Sequence, residues 1–199
     1  MNAITIYDRG DEPVDRIAQT ILDFIGRVPG TREAKSLDPR LRARVVAQSA
    51  SRKAAVAAGG LALPPGPLGW LTVLPELVTV WKLQTQMVAD IAGIYGKEAY
   101  LTREQMIYCL FRHTAAQAVR DLVIRIGERF LVRKASGRAF QAIARKIGLT
   151  VTQQALGKGV SRWLPIVGAV GVGAYVYYDT RQVARTAIEL FEREVEIVE

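Results

Sequence analysis

The chain has 199 residues, half of them hydrophobic, and its 27 lysines and arginines against 19 acids leave a formal net charge of +8. That length suits one domain, and a mean hydropathy of +0.12 supplies ample apolar material for its core. The single cysteine, Cys109, excludes an internal disulfide framework and a cysteine-based zinc site, and it fits a reducing compartment. The N-terminal stretch MNAITIYDRGDEPVDR has early acids and no long apolar run, which argues against a secretory signal. A basic balance calls for acidic partners: an anionic membrane surface, an acidic protein face or nucleic acid. Nucleic acid is the least expected of these, because the basic segments carry no recognition motif.

Taken in order, residues 1–12 read as a polar tail. Pro13 then opens a short helix with inward positions Val14, Ile17, Ile21, Leu22 and Ile25, ended between Gly26 and Gly30. Asp38 as N-cap and Pro39 at the first helical position start a second helix, stopped at Gly59-Gly60. Prolines 64, 65 and 67 forbid its continuation. A third helix is expected from about Leu71 to Tyr95, with Gly96 ending it. Thr102 and Gln105 form a capping box, and the helix that they open should run to about Ile126. The spacing next predicts a helix from about Glu128 to Ile147, closed by Gly148. A short helix follows a second capping-box pattern, Thr150 with Gln153. A last long helix runs from the Ser161–Pro165 region to about Val195. No period-2 segment of useful length stands out, so no sheet is expected.

Two apolar segments dominate the profile. Residues 54–81 contain one ionisable group, Glu76, but prolines break the run and the helical part ends before Lys82. The second, WLPIVGAVGVGAYVYY at 163–178, is also short of the roughly 20 residues that a span needs. One reading packs both segments into a helical core, with Gly168, Gly171 and Gly173 allowing close approach, since helical glycine otherwise costs about 1 kcal/mol each. The other has them dip into a leaflet. Trp70, Trp81 and Trp163 are the only tryptophans, and all flank these segments, as interface residues do.

Between Arg120 and Lys146, Arg125, Arg129, Arg133, Lys134 and Arg138 belong to a strongly basic stretch opposed only by Asp121 and Glu128. On one helix, Arg125, Arg129 and Arg133 would stack at i, i+4, i+8, with Gly127 as a potential break. Interleaved apolar residues make this a basic amphipathic surface, attracted to anionic lipid at about 1 kcal/mol per charge. A second basic run spans Arg27 to Lys53. The acidic C-terminus, from Glu189 to Glu199, offers the alternative of pairing within the molecule or with a neighbour.

Chemistry-bearing constellations are sparse. Cys109 and His113 share a helix face at i, i+4 but sit in the apolar run MIYCLFRH, where cysteine acts as a small hydrophobe. Glu76, Gln86 and Asp90 form a polar stripe on an apolar helix. It is read as an internal salt-bridge site, with a carboxylate-based hydrolase site as the alternative. No phosphate loop, dinucleotide fingerprint or nucleophile elbow is present, and neither a metal nor a cofactor is expected.

Two stretches carry a family resemblance. AAGGLALPPGPLGWLTVLPELVTVWKLQTQMVADIAGIYGKEAYLTREQM has an Ala/Gly-rich turn at Ala57–Gly69 and an acid-bearing apolar helix ending in Tyr95-Gly96. WLPIVGAVGVGAYVYYDTRQVARTAIELF has the late Pro165 to Gly168 pattern. Over about residues 50–195 the chain resembles the EcsC family of bacterial helical proteins. The resemblance implies an α-helical protein at the membrane periphery and carries over no catalytic residue.

The expectations are then these. The fold is all-α, a bundle of six to seven helices in one domain over residues 13–199. The function is that of a non-enzymatic interaction protein, cytoplasmic and peripheral to the bacterial inner membrane or docked on a membrane or shell complex. A hydrolase using Glu76 and Asp90, or an obligate subunit of a homo- or hetero-oligomer, is the alternative.

Overall fold

A computed structural model describes residues 12–25, 27–61, 69–157 and 165–198, with side chains described over 14–24, 27–59, 77–153 and 171–198. Among the described residues the chain forms seven α-helices, one 3-10 turn at Glu98–Tyr100 and a three-stranded sheet, and it is predominantly α-helical as expected. The helices are α1 (Glu12–Ile25), α2 (Pro39–Leu61), α3 (Gly69–Ile94), α4 (Arg103–Phe111), α5 (Ala116–Val119), α6 (Gly137–Gly157) and α7 (Pro165–Glu192). The strands are β1 (Val123–Ile126), β2 (Arg129–Arg133) and β3 (Glu194–Val198).

Three long helices, α2, α3 and α7, pack against one another, while α1 pairs with α6. On α2 a stripe of small residues, Ala43, Ala47, Ser51, Ala54 and Ala58, is buried. Small side chains at helical spacing let a neighbour come close. At Gly173 of α7 an added Cβ would stand 3.2 Å from the Ala55 carbonyl oxygen, so glycine there serves helix approach. Gly171 faces open space, and the side-chain position of Gly168 lies outside the described residues. Between the helix groups lies α4, buried at every position from Glu104 to Phe111. It contacts α1, α3, α7 and the hairpin. Burying each large apolar side chain there contributes about 1.5–3 kcal/mol.

Several boundaries follow from local chemistry. Asp38 caps α2, its Oδ1 accepting from the Leu41 N–H at 3.1 Å. Thr102 and Gln105 make the reciprocal capping box on α4. Gly96, at φ +68, ends α3 by a Schellman motif, in which Lys97 N–H donates to the Ala92 carbonyl and Gly96 N–H to that of Gly93, both at 2.8 Å.

The sheet is the correction. Residues 123–133, expected on helices, form an antiparallel hairpin in which Ile126 pairs with Arg129 across a two-residue turn. Gly127 holds φ +59 at the first central position, as a type II′ turn requires. The last helix stops at Glu192, short of Val195, and β3 then runs parallel to β2, so the strand order is β1-β2-β3. The helix expected to close at Gly148 continues as α6. Gly148 sits against α1, where an added Cβ would lie 2.8 Å from the Val14 carbonyl oxygen. Thr150 caps nothing and instead donates to the Lys146 carbonyl one turn back. Of the polar tail expected over 1–12, residues 1–11 lie outside the described residues.

Candidate functional site

The polar stripe of α3 has become a staple. Asp90 Oδ1 accepts from the Arg32 backbone N–H at 2.8 Å and from Gln86 Nε2 at 2.9 Å. Gln86 Nε2 also donates to the Gly30 carbonyl at 3.0 Å. Two side chains one turn apart thus hold the α1–α2 loop on α3. The loop lies so close that a Cβ at Gly93 would meet Thr31 Oγ1 at 2.2 Å and the Glu33 carbonyl oxygen at 2.8 Å. Asp90 therefore takes backbone and amide donors rather than the ion pair expected of an internal salt-bridge site. The side chain of Glu76 lies outside the described residues.

Two clefts flank the staple. The larger, of about 730 Å³, has Arg27, Arg32, Lys82 and Asp23 on its walls together with Phe24 and Leu83. The smaller, of about 300 Å³, shares Arg32 and Gln86 and adds Lys53 and the Arg42–Glu33 pair, whose closest N–O distance is 2.8 Å.

The basic stretch is not one helix. Arg125 is on β1, Arg129 and Arg133 are on β2, Lys134 follows β2, and Arg138 is in the first turn of α6. Two of its arginines meet the acidic end of the chain. Arg129 pairs with Glu194 at 3.1 Å and Glu196 at 3.5 Å, and Arg125 with Glu189 at 3.7 Å. Arg193 in turn pairs with Glu128 at 2.9 Å, and Arg40 with Glu192. The intramolecular alternative is therefore realised at Arg125 and Arg129. Each such exposed pair stabilises by only about 0–1 kcal/mol, but together they cancel local field.

Trp81 does not flank a surface. It is 6% exposed and meets Phe111 edge-on, with ring centroids 5.5 Å apart at 79°. Trp163 and the side chain of Trp70 lie outside the described residues. Exposed apolar side chains are found instead on α2, at Val56, and on α7, where Val172, Tyr175 and Tyr178 recur every three residues. Arg52 and Lys53, both exposed, stand one turn before Val56. Among the described residues, no helix is long and apolar enough to cross a membrane.

Cys109 and His113 part company. Cys109 is fully buried, and desolvation pushes its thiol far above the usual range, which removes the thiolate that a nucleophile needs. His113 Nε2 meets Asp179 Oδ1 on α7 at 2.6 Å. The other carboxylate oxygen accepts from Gln84 Nε2 at 2.7 Å, and Gln84 also bonds Thr180 Oγ1 at 3.1 Å. This chain clamps the end of α4 to α3 and α7. One turn before Asp179, the Tyr175 hydroxyl is raised by burial and by the Asp179 charge. Gln84 and Asp179 escaped sequence reasoning because nothing local links partners 66 and 95 positions apart.

Among the described residues, no group of three or more His, Cys, Asp or Glu is placed to hold a metal ion. No curated protein and no solved structure matches the chain. The family model of the EcsC protein family matches residues 32–193, from the stapled loop to the end of α7, and the chain belongs to that family.

Proposed function

We propose that the chain is a non-enzymatic interaction protein that docks on an anionic membrane surface through exposed side chains of α2 and α7, Val56 and Tyr175 among them. The observation that carries this reading is the combination of exposed apolar and basic side chains there. Val56 is 75% exposed, one turn from Arg52 and Lys53 on α2, and Tyr178 on α7 is 60% exposed. Tyrosine suits such a boundary because its ring is apolar and its hydroxyl is polar. Each lysine or arginine near anionic lipid adds about 1 kcal/mol. The same reading makes the protein cytoplasmic and peripheral to the bacterial inner membrane. It moves the docking face away from the hairpin, where Arg125 and Arg129 already have acidic partners. A hydrolase reading loses support, since Asp90 is engaged by two N–H donors and Cys109 is sealed.

Flotation with anionic and neutral vesicles tests the proposal. Binding should favour the anionic vesicles and weaken about fivefold in Lys53→Gln, the equivalent of one lost charge. The double variant Tyr175→Ser/Tyr178→Ser should weaken it at least as much. Equal, negligible capture by both vesicle types would sink the idea.

A further inference from the structure

We propose that the larger cleft beside the α3 staple binds a phosphate-bearing ligand through Arg27, Arg32 and Lys82. Three exposed cations line this one cleft, and none of them has an ion pair among the described residues. Its one acid, Asp23, which accepts from Gln19 Nε2 at 3.0 Å, offsets only one of these three charges. The cations in excess repel one another, and an anion between them removes that cost. Guanidinium forks match phosphate oxygens in geometry, and charge-assisted bonds of this type are about twice as strong as neutral ones.

The cleft is also built in advance. Asp90 holds the Arg32 backbone, and Gln86 holds Gly30, so the loop that carries Arg32 needs little ordering when a ligand arrives. Its volume of about 730 Å³ lies in the range of organic-ligand pockets, larger than a bare phosphate needs. Phe24, Pro29 and Leu83 supply apolar wall for an organic portion. The ligand class is therefore a phosphomonoester, either a free small molecule or the head group of a lipid. The inference does not rest on the docking face proposed above, which uses other residues.

Calorimetric titration of the full chain with glycerol 3-phosphate at low salt tests it, alongside flotation with vesicles of phosphatidic acid and of phosphatidylcholine. Saturable binding to one site is expected. Arg32→Gln and Lys82→Gln should each weaken it roughly tenfold. Arg120→Gln, an equal charge change outside the cleft, should stay within about twofold of the parent. The Tyr175→Ser/Tyr178→Ser variant should keep glycerol 3-phosphate binding even if vesicle capture fails. Capture by phosphatidic acid that falls with Lys82→Gln identifies a head group, whereas glycerol 3-phosphate binding without such capture identifies a free small molecule. Absence of saturable binding to either probe overturns the assignment. So does a loss in Arg120→Gln as large as that in Arg32→Gln, which would reduce the effect to diffuse charge.

Discussion

The hairpin and the α3 cleft are both rich in arginine and lysine, yet the fold treats their charge in opposite ways. On the hairpin, Arg129 lies within reach of Glu194 and Glu196, because β3 runs parallel to β2 and aligns Arg129 with Glu194. In the cleft, Arg27, Arg32 and Lys82 share the wall with one acid, Asp23, and the backbone of Arg32 is held by Asp90. A basic run in a sequence thus says little about binding until its neighbours in space are known. Arg125 and Arg129 have their partners supplied by the chain itself, whereas Arg27, Arg32 and Lys82 have no ion pair among the described residues.

The comparison breaks most decisively at Gly93. Gly93→Ala puts a methyl group into Thr31 and the Glu33 carbonyl, so the loop must lift. We expect about 2–3 kcal/mol of lost stability by urea unfolding, in line with overpacking of a tight contact, and lost ligand binding with the hairpin intact. An unchanged midpoint would mean that the loop is not clamped there.

A pH titration sharpens the comparison by isolating the core that both regions share, since arginines keep their charge throughout. The Cys109 thiol is raised from its ordinary value of 9.0 by burial, so the folded state holds a proton that the unfolded state gives up above about pH 9. Unfolding then releases a proton, and stability falls as pH rises, by up to about 1.4 kcal/mol per unit. Cys109→Ala should flatten this slope until about pH 10. There Tyr95 and Tyr108, both raised from 10.0 chiefly by burial, add losses of the same sign. A Cys109→Ala curve with the same slope as the wild type between pH 9 and 10 would contradict a sealed thiol, because the opposing contribution of Lys97, lowered by burial, is common to both.

The smallest effect is expected on the hairpin itself. Arg129→Gln removes pairs to Glu194 and Glu196 whose side chains are more than half exposed. Thermal melting should register less than about 1 kcal/mol. A larger loss would make the hairpin's ion pairs structural rather than neutralising.

Much of the helical frame was legible in the sequence. Asp38-Pro39, the Thr102–Gln105 box and Gly96 acted locally, and each did what its chemistry implies. The hairpin was misread for a physical reason. Arginines spaced by four at 125, 129 and 133 satisfy a helical repeat and a period of two equally well. The discriminating signal was Gly127-Glu128 between VIRI and FLV, two short apolar runs rich in β-branched and aromatic residues. The alternation of EVEIV was likewise absorbed into the preceding helix. The stripe at Gln86 and Asp90 was visible as a polar face. Its partners, the Arg32 N–H and the Gly30 carbonyl, are backbone groups that no residue pattern displays. The exposure of Val56 and of Tyr175 depends on which helix sides meet, a tertiary fact.

The burial of Cys109 also supplies a clock. It is the chain's one cysteine, and it lies on the helix that the rest of the fold wraps. Any thiol reagent must wait for α4 to leave its place, so the labelling rate in native buffer, with reagent raised until the rate no longer depends on its concentration, counts opening events. Comparing that rate with and without vesicles or glycerol 3-phosphate would show whether a ligand at the periphery steadies the centre of the molecule.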